Sequence, residues 1–135
     1  MIRVLTYGTF DTFHWAHMRL LERARAMGDW LGVGLSTDEF NALKGKNSIF
    51  DYATRENILR GVKYVDFIFP EKTWEQKRED IIKYNADIFV IGDDWRGKFD
   101  DLSDICRVVY LPRTPDVSST LIKNALHAQK VIPSR

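Results

Sequence analysis

The sequence has almost nothing to build a disulfide with: Cys106 is its one cysteine, so no intrachain bridge can form, and such usage suits a reducing compartment. It also lacks any stretch near the ~18 apolar residues of a membrane span. The opening MIRVLTYG is too short an apolar run for a secretory signal, so a cytoplasmic location and no membrane partner are expected. Neither sign of charge dominates, with 20 basic against 19 acidic residues, and nothing in that balance points to a nucleic acid. No internal repeat, low-complexity tract or linker breaks the chain. Its 135 residues fit one domain spanning 1–135, with 131–135 as a loose tail.

What the sequence does have is alternation. Ile2–Tyr7, Leu31–Leu35, Phe67–Phe69, Ile88–Ile91 and Val108–Leu111 are short, apolar and rich in β-branched or aromatic residues, as buried strands are. The segments between them have helical period. Met18, Leu20, Leu21 and Ala24 line one side of the first, and Gly28 is placed to cap its C-terminus. Ser36–Glu39 and Thr73–Gln76 match the capping box and predict helix starts, the second helix running to about Asn85. Asp51 predicts a cap for a helix over Tyr52–Leu59. Five strands alternating with helices predict an α/β fold: a parallel sheet covered on both faces and wound by right-handed crossovers. Ligands bind such sheets beyond the carboxyl ends of the strands, so the segments after each strand are where function is expected.

The first of these segments reads GTFDTFHWAH (Gly8–His17). Gly8 permits a tight exit from the strand, and a helix beginning near Trp15 puts His14 and His17 together in its first turn. Helix N-termini favour phosphate, and imidazoles beside one can donate to oxygens that gain charge in phosphoryl transfer. The same spacing also occurs as surface or capping histidines, and zinc is a weaker reading for want of a nearby ligand set. After the second strand, Lys44-Gly-Lys46 reads either as a solvated loop or as an anion site. GDDWRGKFD (Gly92–Asp100), after the fourth, reads as a turn with a packed tryptophan or as the lining of a nucleoside pocket. RTPDVSST (Arg113–Thr120) joins an arginine to a hydroxyl run, with Ser118 also suited to a plain N-cap. Cys106 reads as a small buried hydrophobe. Four such loops at one rim point to a polyphosphate binder.

GTFDTFHWAH and RTPDVSST resemble the two signatures of the cytidylyltransferase branch of the HxGH nucleotidyltransferases, which have a Rossmann-like fold. STDEFN, PEKTWEQK, GDDWRGKFD and VVYLPRTP are similar to blocks of its glycerol-3-phosphate-using members, over roughly residues 1–124. The resemblance implies transfer of CMP from CTP to glycerol 3-phosphate, releasing pyrophosphate, with Mg²⁺ carried on the triphosphate and a homodimer as the assembly. It implies CDP-glycerol as the product, a precursor for a teichoic-acid-like envelope polymer. By position it gives Thr9, Phe10, His14, His17, Lys46, Asp94, Arg113, Thr114, Ser118, Ser119 and Thr120 to CTP. Lys44 and Lys77 go to the acceptor's phosphate, with His14, His17, Lys44 and Arg113 as the catalytic set. No metal-ligating side chain is implied. Three positions depart from the pattern: Ala16 stands in place of glycine, Lys63 in place of arginine, and Pro115-Asp116-Val117 in place of a glycine-containing turn. Two alternatives stay open: another phosphorylated polyol or amino alcohol as acceptor, and a weakly catalytic CTP-binding regulatory module.

Overall fold

The structure, a computed structural model, describes residues 1–113 and 124–126. In chain order these form β1 (Arg3–Gly8), α1 (Trp15–Ala26), β2 (Trp30–Ser36), α2 (Asp38–Leu43), α3 (Tyr52–Arg60), β3 (Phe67–Glu71), α4 (Gln76–Lys83), β4 (Ile88–Gly92) and β5 (Arg107–Leu111). Two 3₁₀ turns, Asp93–Trp95 and Asp100–Asp104, link β4 to β5. Among the described residues the five strands make one parallel sheet in the order β3-β2-β1-β4-β5. The expected strands are all present, each shifted or lengthened by one or two residues at an end.

Alternation along the central strands builds a core on each face. Val4, Ile88 and Val90 join Leu21 and Ala24 of α1 and Leu59 of α3 on one side. Leu5, Phe89 and Ile91 join Ile81 of α4 and Leu102 on the other. A strand buried on both faces must be apolar at nearly every position, which is why β1 and β4 read as continuous apolar runs. Cys106 lies partly buried against the second core, with its Sγ 3.6 Å from the Leu102 carbonyl.

Helix ends hold the corrections. Asp51 caps α3 as expected, accepting from the Thr54 N–H at 2.9 Å. The cap of α2 is Thr37, not Ser36, which is the last residue of β2 and turns its hydroxyl to Asn41. α4 starts at Gln76 rather than after Thr73, and Glu75 makes no side-chain cap. Half of the expected box does form, since Gln76 Oε1 accepts from the Thr73 N–H at 3.0 Å. The turn before it is held out of helical geometry because Trp74 packs against Phe40 and Trp95. Met27, not Gly28, is the C-cap of α1; a Cβ on Gly28 would lie 2.6 Å from the Ile2 carbonyl oxygen, so close approach explains that glycine.

Candidate active site

The sheet order reverses between β1 and β4, and their carboxyl ends, Gly8 and Gly92, both open onto one cleft of about 480 Å³. That is where an open α/β sheet offers a crevice for a ligand. Three walls surround it.

The first wall is the turn from β1 into α1. Gly8 does not supply the tight exit through its own backbone. The left-handed residues are Phe10 (φ 51°) and Thr12 (φ 48°), while a Cβ on Gly8 would lie 2.9 Å from the Phe10 ring. Non-glycine residues in that region are sparse and persist only where surroundings enforce them. Here Phe10 is buried in the core, and buried Asp11 accepts from the Thr12, Ile49 and Phe50 N–H groups. The two histidines then form a capping box from imidazoles. His14, the N-cap of α1, accepts at Nδ1 from the Ala16 N–H, and His17 Nδ1 accepts from the His14 N–H, both at 3.2 Å. With each Nδ1 an acceptor, each neutral ring carries its proton on Nε2 as a donor. The rings stack at 3.9 Å, and His14 Nε2 is buried with no partner among the described residues. Burial lowers the pKa of both; that of His17, with further help from neighbouring His14, falls to about 3. Both are therefore neutral hydrogen-bond donors near neutral pH.

The second wall carries Lys44 and Lys46. α2 ends in a Schellman motif: the Lys46 N–H bonds the Asn41 carbonyl at 2.9 Å and the Gly45 N–H bonds the Ala42 carbonyl at 3.0 Å. Gly45 sits at φ 74°, which a side chain would strain, and so sets both lysines at the cleft. Asn41, itself buried, accepts from Thr9 and Ser36 and donates to Ser48, tying this loop to the first wall. Half-buried Lys44 has its pKa lowered to about 8, chiefly by desolvation and partly by Lys46, Lys77 and Arg55; Glu71 opposes this.

The third wall is aromatic and charged. Lys77, 3% exposed, pairs with Glu71 at 2.6 Å. Around it stand Tyr7, Trp74, Trp95 and Phe99. Tyr7 donates to Asp80 at 2.8 Å, and burial together with that carboxylate pushes the phenol's pKa up. At the exposed rim, Asp94 and Arg113 approach to 3.6 Å.

Of the residues singled out in the sequence, Thr9, Phe10, His17, Lys44, Lys46, Lys77 and Asp94 line this one cleft. His14 does not line it, but it stacks on His17. Arg113 reaches it through Asp94, while Thr114, Ser118, Ser119 and Thr120 lie outside the described residues. Lys77 reaches the cleft within its own chain. Exposed Lys63 is not among the lining residues; its Nζ lies 5.2 Å from the Tyr64 ring. Sequence reasoning missed Glu71, whose only signal is a charged residue closing an apolar strand. It missed Arg55 as well. That side chain is fully buried and donates to the carbonyls of Thr9, Ser36 and Phe50 and to Asp38, yet in sequence it looks like any helix-surface arginine.

A Rossmann-like parallel sheet whose switch-point cleft gathers lysines and donor imidazoles defines a protein of the nucleotidyltransferase fold class. Comparison with known proteins narrows this. Residues 5–125 match the family described as cytidylyltransferase-like, and the chain belongs to that family. A glycerol-3-phosphate cytidylyltransferase of Bacillus subtilis (strain 168) is 56% identical over 126 residues, covering 93% of this chain and 98% of the relative. One from Staphylococcus aureus (strain NCTC 8325 / PS 47) is 52% identical over 129 residues, covering 96% and 98%. Among solved structures, a lipopolysaccharide core biosynthesis protein from Thermoplasma volcanium GSS1 superposes with a TM-score of 0.73 at 26% identity, over 84% of this chain and 98% of that one.

Proposed function

We propose that this chain transfers CMP from CTP to glycerol 3-phosphate, giving CDP-glycerol and pyrophosphate. The observation that carries the proposal is the convergence of Lys44, Lys46 and Lys77 with His17 on one switch-point cleft. The two relatives named for that activity, matched over nearly their whole length, support the choice of acceptor.

An oxygen of the acceptor phosphate attacks the α-phosphorus of CTP. A new P–O bond forms as the α–β bridging bond breaks, and pyrophosphate leaves with the electron pair. Two anions must first be brought together, and the lysines offset their repulsion, Lys44 facing the acceptor and Lys46 the triphosphate. The Nε2–H groups of His14 and His17, held by their capping box, donate to phosphate oxygens that gain charge. Thr9 and Phe10 shape the floor beneath the nucleotide, and Asp94 with Arg113 forms the rim nearest the nucleoside. Mg²⁺ would be carried on the triphosphate, whose hard oxygens it prefers. No group of three His, Cys, Asp or Glu that could hold a metal occurs among the described residues, and the walls set lysines and imidazoles at the phosphates. Bound there, the ion would neutralise phosphate charge.

The proposal includes a cytoplasmic homodimer. Among the described residues no helix is long and apolar enough to cross a membrane. Exposed Phe67 on the edge strand and Ile82 on α4 give a second copy an apolar surface to cover, which sedimentation equilibrium tests through the mass. The product, an activated glycerol phosphate, suits synthesis of an envelope polymer. Nucleotide choice tests the chemistry: with glycerol 3-phosphate and equal concentrations of CTP, ATP, GTP and UTP, CTP reacts fastest. Equal or faster use of ATP contradicts the proposal.

A further inference from the structure

Lys77 occupies a place built for a cation. Its Nζ lies 4.8, 5.4 and 5.3 Å from the ring centroids of Tyr7, Trp74 and Phe99. Glu71 Oε2 is 2.6 Å away. Aromatic faces within about 6 Å of an ammonium, closed by a carboxylate, are the chemistry that recognises alkylammonium ligands. The cage is braced. Tyr7 is fixed by its hydrogen bond to Asp80, Trp74 by Phe40 and Trp95, and Phe99 by an N–H bond to the Tyr110 hydroxyl. It also shares a wall with the lysine loop, since Lys44 Nζ lies 5.6 Å from the same Trp74 ring. An acceptor whose phosphate meets Lys44 therefore has this cage beside it, across the Trp74 ring.

We propose that Lys77 is the specificity-determining residue that excludes amino-alcohol acceptors: its side chain fills, from within, a cage that would otherwise take the ammonium of a phosphorylated amino alcohol. The inference rests on the CMP-transfer reading above and moves Lys77 from the acceptor's phosphate, where the family resemblance put it, to the alcohol end of the acceptor. A neutral polyol is tolerated there, because its hydroxyls accept from the lysine's remaining N–H groups. An ammonium meets like charge and an occupied cage, which is discrimination by repulsion as well as by fit.

The test is Lys77→Ala, probed with tetramethylammonium chloride against sodium chloride at equal ionic strength, by tryptophan fluorescence and thermal melting. The variant binds the probe saturably and melts higher in its presence; the wild-type protein does neither. With CTP, the ratio of kcat/KM for phosphoethanolamine over glycerol 3-phosphate rises about tenfold or more in the variant. Should unpaired Glu71 prevent folding, Lys77→Ala combined with Glu71→Gln keeps the three rings, removes the lone buried charge and binds the probe in the same assay. A folded variant of either kind that binds tetramethylammonium no better than wild type overturns the proposal, as does an unchanged acceptor ratio. Wild-type protein that releases no pyrophosphate from CTP and glycerol 3-phosphate, beside a variant that binds the probe, sinks the CMP-transfer reading and leaves the cage standing.

Discussion

At the scale of single residues, His14 and His17 show how a structural role and a chemical one coincide. Each imidazole spends its Nδ1 lone pair on a backbone N–H at the start of α1, and this fixes the tautomer that leaves Nε2–H free to donate. A donor that acts mainly on charge developing in the transition state contributes chiefly to kcat. His17→Ala is therefore expected to lower kcat by about 10²–10³. A folded variant with unchanged kcat and a raised KM for CTP would show that His17 only binds. Lys44 gives a second residue-scale prediction. Its folded pKa of about 8 lies below the ordinary 10.5, so the folded protein releases this proton first as pH rises. The charged form needed for phosphate is present below about pH 8 and lost above it, and kcat/KM for the acceptor should fall through that pH. The sign for stability is opposite: between about 8 and 10.5 the unfolded chain binds more protons here, so this group's contribution to stability rises with pH. Lys44→Arg keeps its charge, and its pH–rate profile should lack that falling limb. Its persistence in the variant would assign the limb to another group.

At the scale of elements, Arg55 on α3 clamps the loops that form two of the walls. Its guanidinium supplies the carbonyls of Thr9, Ser36 and Phe50 from a fully buried position. Arg55→Ala leaves those acceptors without a donor, and a loss of roughly 3 kcal/mol or more is expected. Arg55→Lys recovers only part of it, since an ammonium cannot reproduce the planar fork. Urea unfolding reads both; a loss below about 0.5 kcal/mol for the alanine variant, typical of a surface site, would remove the clamp. Strands and helices were legible in the sequence because period and cap residues are local signals. The exceptions are instructive. Thr73 failed as a cap because Trp74 is drawn by tertiary packing to Phe40 and Trp95, partners that lie far from it in sequence. The glycine at the end of β1 suggests a tight exit from the strand, but it is space for the Phe10 ring that requires it. That contact exists only once Phe10 has adopted its left-handed backbone.

At the scale of the whole molecule, sheet order decides which loops meet. Alternating strands and helices told where ligands bind in relation to strand ends, and so put residues after β1, β2 and β4 at one rim. They did not fix the order β3-β2-β1-β4-β5, which places Gly8 beside Gly92 and brings Lys77 on α4 across to Lys44. Lys77 illustrates the limit. In sequence it reads as a solvated lysine on an amphipathic helix, yet it is buried against Glu71, the last residue of β3, on the face of α4 that carries Ile81 into the second core. Likewise Arg55 and Glu71 give no local signal, since their partners lie on other elements. The central claim is that this assembled cleft joins CTP to a phosphorylated alcohol. It is tested most directly by pyrophosphate release from CTP and Mg²⁺ across a panel of acceptors: glycerol 3-phosphate, other phosphorylated polyols, phosphoethanolamine, and none. The account predicts the fastest release with glycerol 3-phosphate, matched mole for mole by CDP-glycerol, and none without an acceptor. Release that is independent of the acceptor, or absent with every one of them, would contradict it.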